Sequence, residues 1–298
     1  MQGAKIVCTP SRGNETIETI TDKRTMQALC SNHRSEGKTI GLVPTMGYLH
    51  EGHLSLMRLA RKSADILVTS IFVNPTQFGP NEDLAAYPRD LDRDRHLCES
   101  VGVDYVFAPS ADNLYGPNYE TYVELERLPN HLCGLSRPGH FRGVATVVTK
   151  LFHITKPHFA VFGQKDYQQV LVIRKMAADL DLDVDIVTAP TVRETDGLAM
   201  SSRNTYLKPH QRESALSLSR SLKHLQEMLD QGIHDSRRLI DAAAAYIASF
   251  PETRIDYVAI CHPETLEPVD TIEDRALLAL AVRVGTTRLI DNTILRRT

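Results

Sequence analysis

The chain has no tryptophan, no Cys-x-x-Cys pair, no strong net charge and no long apolar run. Its five cysteines, Cys8, Cys30, Cys98, Cys133 and Cys261, are odd in number and scattered. That argues against a disulfide framework and against a cysteine zinc site. A formal net charge of -3 gives bulk electrostatics no reason to draw nucleic acid or a membrane surface. No window is long and apolar enough to span a bilayer, and Met1 to Thr9 lacks the apolar stretch of a signal peptide. Internal repeats and low-complexity segments are also missing. The composition that remains is that of a reduced, cytoplasmic protein, and 298 residues are enough for two domains.

What is present is a regular alternation. Residues 1–16 are polar and pattern-free, as in a mobile leader. Strand patterns follow at 16–20, 39–43, 65–73, 103–107, 121–125, 159–162 and 184–188. Helical patterns lie between them, at about 22–36, from 50 onward to the basic pair Arg61-Lys62, and at 89–100, 144–154 and 167–180. The 65–73 run is apolar nearly throughout, as a central parallel strand should be. The alternation predicts an α/β fold, a Rossmann-like parallel sheet with helices on both faces, over residues 1–190. The character changes at Ala189-Pro190. A polar loop at 191–209, helices at 210–231 and 236–249, and strands at 255–261, 279–284 and 288–292 predict a smaller C-terminal α+β domain over 191–298.

In a parallel sheet ligands bind beyond the strand C-termini. The three loops at that edge, 44–53, 74–79 and 163–169, are rich in reactive side chains. His50 and His53 stand three apart at a helix start, where free N–H groups and the helix dipole favour an anion. They could also bind a metal or merely cap the helix, but no third ligand is evident at zinc spacing. Gly52 between them costs roughly 1 kcal/mol relative to Ala in a helix, which suggests close approach of something flat, such as adenine. Lys165 follows a strand and suits phosphate; Asp166 could cap the next helix. Asn74, Gln77 and Gln169 offer neutral donors and acceptors for a ligand with hydroxyls and a carboxylate. Ser201-Ser202-Arg203 could wrap an oligophosphate. Asp92 and Asp94 could hold magnesium or simply favour the first turn of their helix.

Taken in order, Gly41 to His53, Phe72 to Gly79, Tyr87-Pro88-Arg89, Gly139 to Gly143, Phe162 to Gln169 and Pro190 to Leu207 resemble the pantothenate synthetase (pantoate–β-alanine ligase) family. The resemblance covers about residues 17 to 292. His50-Glu51-Gly52-His53 is similar to the His-x-Gly-His signature of the wider nucleotidyltransferase superfamily, and Met200 to Arg203 resembles its second, Lys-Met-Ser-Lys-Ser-type motif. Ala199 stands where that wider motif has Lys, which leaves Arg203 to supply the charge.

The resemblance implies an ATP-dependent ligase that condenses (R)-pantoate with β-alanine through a pantoyl adenylate, releasing pyrophosphate and AMP. It implies ATP contacts at Met46, Gly47, Tyr48, Leu49, His50, Glu51, Gly52 and His53, at Gly163, Gln164, Lys165 and Asp166, and at Val192, Met200, Ser201, Ser202 and Arg203. His53 takes the part of proton donor, and His50, Lys165, Ser202 and Arg203 share the phosphates with it. Gln77, Gln169 and Asn74 would contact pantoate or β-alanine. Mg2+ would be required, with Asp94 the candidate ligand because Arg93 sits where some relatives carry an acidic residue. The resemblance further implies a cytoplasmic homodimer whose 191–298 domain closes as a lid. The alternatives are another adenylyltransferase of the superfamily or a catalytically inactive nucleotide-binding module.

Overall fold

The computed structural model describes residues 17–80 and 82–297. The leader expected over 1–16, and Thr16 with it, lies outside the described residues. The first half of the chain runs β1 (Glu18–Ile20), α1 (Lys23–Ser35), β2 (Ile40–Thr45), α2 (Glu51–Arg61), β3 (Ile66–Ile71), α3 (Leu91–Ser100) and β4 (Tyr105–Phe107). Two short helices follow, α4 (Ala111–Leu114) and α5 (Leu132–Ser136), then α6 (His140–Thr155), β5 (Phe159–Gly163), α7 (Tyr167–Asp179) and β6 (Asp185–Ala189). The remainder is α8 (Arg212–Asp230), α9 (Ser236–Ala248), β7 (Thr253–Cys261), β8 (Arg275–Val284) and β9 (Thr287–Arg296).

The six strands β1 to β6 form one parallel sheet in the order β1-β4-β3-β2-β5-β6. Each central strand is apolar on both faces because both faces are covered. Ile40, Leu42, Ile66 and Val68 pack on α1, α6 and α7, whereas Val43 and Leu67 pack on α2 and α3. From β2 the chain builds outward to β3 and β4 on one side, then returns to place β5 and β6 on the other. The crevice between the C-termini of β2 and β5 is therefore the switch point of the sheet, where such folds bind ligands.

The three strands β7, β8 and β9 form a separate antiparallel sheet. Leu278, Leu280, Val282 and Leu289 on one face pack under α8 and α9. The other face, with Leu277, Ala279 and Ile294, packs against Leu128, Leu132 and Tyr167. The expected α/β sheet with a C-terminal α+β portion is present.

Local punctuation follows the sequence. Asp22 caps α1 by accepting from the Thr25 N–H at 2.8 Å, and Gly37 beyond its end has φ +76°. Two expectations fail. Residues 121–125 form no strand. The far side of β4 is already paired with β1, and the Val123 N–H donates instead to Thr146 Oγ1 of α6 at 2.9 Å. The helix expected over 144–154 begins earlier, at His140, so the polar stretch before it is its first turn. Gly143 in that turn lies against the 74–77 loop, where an added Cβ would fall 2.4 Å from the Thr76 carbonyl oxygen. Gly143→Ala should push α6 off this loop and cost about 1–3 kcal/mol, read as a lowered urea midpoint; an unchanged midpoint would show that the contact can relax freely.

Candidate active site

The loop after β2 turns through Gly47 and Tyr48, with φ of +81° and +49°. A buried carboxylate braces it. Asp94, 1 % exposed, accepts from the Tyr48 N–H at 2.6 Å and the Leu49 N–H at 2.7 Å. Arg93 closes the arrangement by donating to the Leu49 carbonyl at 2.9 Å. Burial raises the Asp94 carboxyl above its ordinary value even though the two amide donors pull it down. Asp94 does not line the cavities around the site, so its expected magnesium role gives way to one of shaping the loop. Leu49 is fully buried in the core, and Glu51 turns outward to pair with Arg58. Of the segment 46–53, the residues that line the crevice are Met46, His50, Gly52 and His53.

His50 is the N-cap of α2. Its backbone N–H donates to His53 Nδ1 at 3.3 Å, and the two rings lie 4.0 Å apart. Since Nδ1 of His53 accepts, its neutral ring carries the proton on Nε2. Burial, and then the Lys165 charge, push His50 down to about 4. Burial, then His50 and Lys165, push His53 well below its ordinary value. Both imidazoles are therefore neutral donors at neutral pH. His50 Nδ1 is buried without a partner. A Cβ on Gly52 would meet the His50 ring at 2.9 Å, so the space expected for adenine is what admits that imidazole.

At the end of β5 the chain makes a tight turn, Gln164–Asp166. Lys165 and Asp166 face the crevice, whereas Gln164 is turned away from its lining. Asn292 of β9 fixes this turn, donating from Nδ2 to the Gln164 carbonyl at 3.1 Å and the Lys165 carbonyl at 2.8 Å. The third wall comes from beyond β6. Val192, Met200, Ser201, Ser202 and Arg203 all line the crevice. Ser202 Oγ donates to the Tyr48 carbonyl at 3.2 Å. Arg203 makes a two-pronged ion pair with Asp83, at 2.9 and 2.8 Å. Burial alone would raise the Asp83 carboxyl, but Arg203 outweighs it and holds it below the usual range.

Gln77 and Gln169 line the same crevice. The Gln169 side chain makes no hydrogen bond with any described residue, which leaves its amide for a ligand. Gln77 donates to Met46 Sδ at 3.0 Å and accepts from Asn74 at 3.1 Å. Asn74 is 1 % exposed and its amide is fully engaged, with Gln77, the Gly143 carbonyl, Thr76 and Tyr115. Asn74 lines the crevice beside Gln77 and also fixes it in place.

Sequence reasoning missed a polar chain that reaches Gln77 from the wall of a neighbouring cavity. Arg137 pairs with Glu82 at 2.7 and 2.6 Å and donates to His140 Nε2 at 2.9 Å. His140 in turn donates from Nδ1 to the Gln77 carbonyl at 2.9 Å. Burial, then Arg137, lower His140 to about 4. The signal was the stretch Gly139 to Gly143, whose His140 stands in the first turn of a helix.

A parallel sheet with cationic and neutral donors from three separate segments at its switch point defines an α/β enzyme that holds an anionic, nucleotide-like ligand. A profile of the pantoate–β-alanine ligase family matches residues 18–294. The chain is 58% identical over 279 residues to the pantothenate synthetase of Desulfatibacillum aliphaticivorans, covering 94% of this chain and 99% of that one. It is 57% identical over 281 residues to that of Moorella thermoacetica, covering 94% and 98%. Among solved structures, the pantothenate synthetase of Thermus thermophilus matches with TM-score 0.88 at 45% identity, covering 93% of this chain and 99% of that one. The Francisella tularensis pantoate-β-alanine ligase, solved with "Beta-gamma ATP" and β-alanine, matches with TM-score 0.76 at 33% identity, covering 93% and 97%. The chain belongs to the pantoate–β-alanine ligase family, and it is an enzyme that joins pantoate to β-alanine.

The half-buried, neutral histidines make stability depend on pH. An unfolded histidine titrates near 6.5, and in the native protein His50 and His140 do so only at about 4. Above 6.5 both states are neutral and nothing is contributed. Between about 6.5 and 4 the unfolded chain binds protons that the native one does not, so stability falls as pH falls. His50→Asn should flatten the decline of the urea midpoint over that window. A decline as steep as in the parent chain would refute the burial of a neutral His50.

Proposed function

We propose that the ligation runs in two steps with ATP as cosubstrate. The pantoate carboxylate attacks the α-phosphorus, the bond to the β-phosphate breaks, and pyrophosphate leaves. The β-alanine amine then attacks the acyl carbon, a C–N bond forms, an amine proton is released to solvent, and AMP leaves with the electron pair of the broken acyl–oxygen bond. The observation that carries this reading is the convergence of His50 and His53, Lys165, and Ser202 and Arg203 on one cavity. Charge grows on phosphate oxygens in the first step, and fixed donors aimed at it stabilise the transition state without reorganising. Neutral His53 serves by donating its Nε2–H to that charge. Arg203 exchanges Asp83 for phosphate when ATP binds. Gln77 and Gln169 hold pantoate beside the α-phosphate.

Magnesium would enter with the ATP phosphates. Among the described residues, Asp166 is the carboxylate in the lining of the reaction cavity, which suits an ion that takes one or two carboxylates plus substrate phosphates. When bound it neutralises phosphate charge. The four described cysteines are free thiols, in keeping with a cytoplasmic setting, and no described helix is long and apolar enough to cross a membrane. A homodimer follows from the family resemblance.

In an assay with pantoate and ATP alone, pyrophosphate should appear, and AMP only once β-alanine is added. Lys165→Ala should slow pyrophosphate release by about 10²-fold or more, the scale of one lost transition-state donor. A near-normal rate would remove Lys165 from the phosphate site. We further propose that residues 191–298 act as the lid over the adenylate, a reactive mixed anhydride that must be kept from water. Support comes from the links Ser202 to Tyr48 and Arg203 to Asp83, which join this portion to the loops after β2 and β3. A stable adenylate analogue should shrink the radius of gyration in small-angle scattering; identical curves with and without it would count against closure.

A further inference from the structure

A second, larger cavity of about 920 Å³ opens between the C-terminal sheet and the segments 79–86, 132–141, 165–169 and 201–206. Lys165, Asp166, Gln169, Ser201 and Arg203 belong to its wall and to that of the reaction cavity, so the two are continuous. Its far wall plays no part in the chemistry above. There Arg254 on β7 stands opposite Arg283 on β8, and Arg283 stands opposite Arg288 on β9. Residues directly opposite share a face, and all three arginines line the cavity.

Like charges directly opposite one another destabilise a sheet. Of the three, Arg288 is compensated, by Asp256 at 2.8 Å. The Arg254 and Arg283 side chains make no hydrogen bond or ion pair with any described residue, and Nε of Arg283 is buried without a partner. A row of guanidinium forks, two of them unused, suits the several oxygens of an oligophosphate.

We infer that this row is a second oligophosphate site, which receives the pyrophosphate expelled in the first step and holds it away from the adenylate. The inference rests on the two-step reading above. The polyphosphate tail of a second nucleotide has the same chemistry, so the test must separate the two sources.

The test is calorimetric titration of the full chain after saturation with α,β-methylene-ATP, an analogue that cannot release pyrophosphate. With the reaction cavity filled, added pyrophosphate should still bind. Arg254→Gln with Arg283→Gln should weaken that binding about tenfold or more, the scale of one charge-assisted contact, and leave the affinity for the analogue unchanged. Arg254→Gln alone, at an exposed strand position, should weaken it in the same direction and serves if the double variant fails to fold. No pyrophosphate binding to the saturated enzyme, or equal binding by the variants, would overturn the site. A second equivalent of analogue, lost in the variants, would assign the row to a nucleotide tail and overturn the pyrophosphate assignment. Loss of pantoate-dependent pyrophosphate release in the parent chain would instead sink the two-step reading, whatever the row binds.

Discussion

The parting of the chain at β2 and β5 governs the rest of the molecule. β2 pairs with β3 on one side and β5 on the other, so the loops leaving β2 and β5 diverge and leave a crevice between them. An anion in that crevice needs donors from both sides, and no single loop supplies them. The loop after β2 brings two imidazoles on a helix start, and the loop after β5 brings an ammonium. Each is held from behind. Asp94 fixes the first loop through two backbone amides, and Asn292 fixes the second through two backbone carbonyls.

The second of these braces comes from the C-terminal sheet, which makes that sheet part of the site's frame. Asp291, next to Asn292, forms a two-pronged pair with Arg193 at 2.7 and 3.0 Å, tethering the loop that ends in Met200 to Arg203. Such paired contacts fix geometry as much as they add energy. Arg203 and Asp83, each about a quarter exposed, form a weaker link that solvent and substrate can compete for. The frame is therefore firm behind the reacting groups and exchangeable in front of them, as a site that must admit its substrates and release their products requires.

The parts of this arrangement that were legible in the sequence are those set by local periodicity. The buried runs around Leu42 and Val68, the helix caps at Asp22 and His50, and the placing of reactive loops at one sheet edge all follow from side-chain alternation and turn chemistry. Residues 121–125 have the alternation of a strand and form none, because pairing depends on a free neighbouring edge and β1 takes it. Asp94 has the residue type of a metal ligand and is consumed by amides 45 and 46 positions away. Gly52 was legible as a close approach but not as to what approaches. His140 carried a signal in the stretch Gly139 to Gly143, but its link to Arg137 and Glu82 showed no pattern because that partnership depends on the fold.

The sequence by itself determined the sheet, its two-sided burial and which short segments carry the donors that meet in the crevice, since each depends on residues within one or two turns of each other. The family match in motif order carried the substrates. Tertiary structure alone decided which carboxylates are spent on scaffolding, which amides remain free for a ligand, and that three arginines from three strands stand in one row. Those outcomes depend on which distant groups reach a polar atom first, and once a buried donor or acceptor has found its partner it is no longer available to substrate.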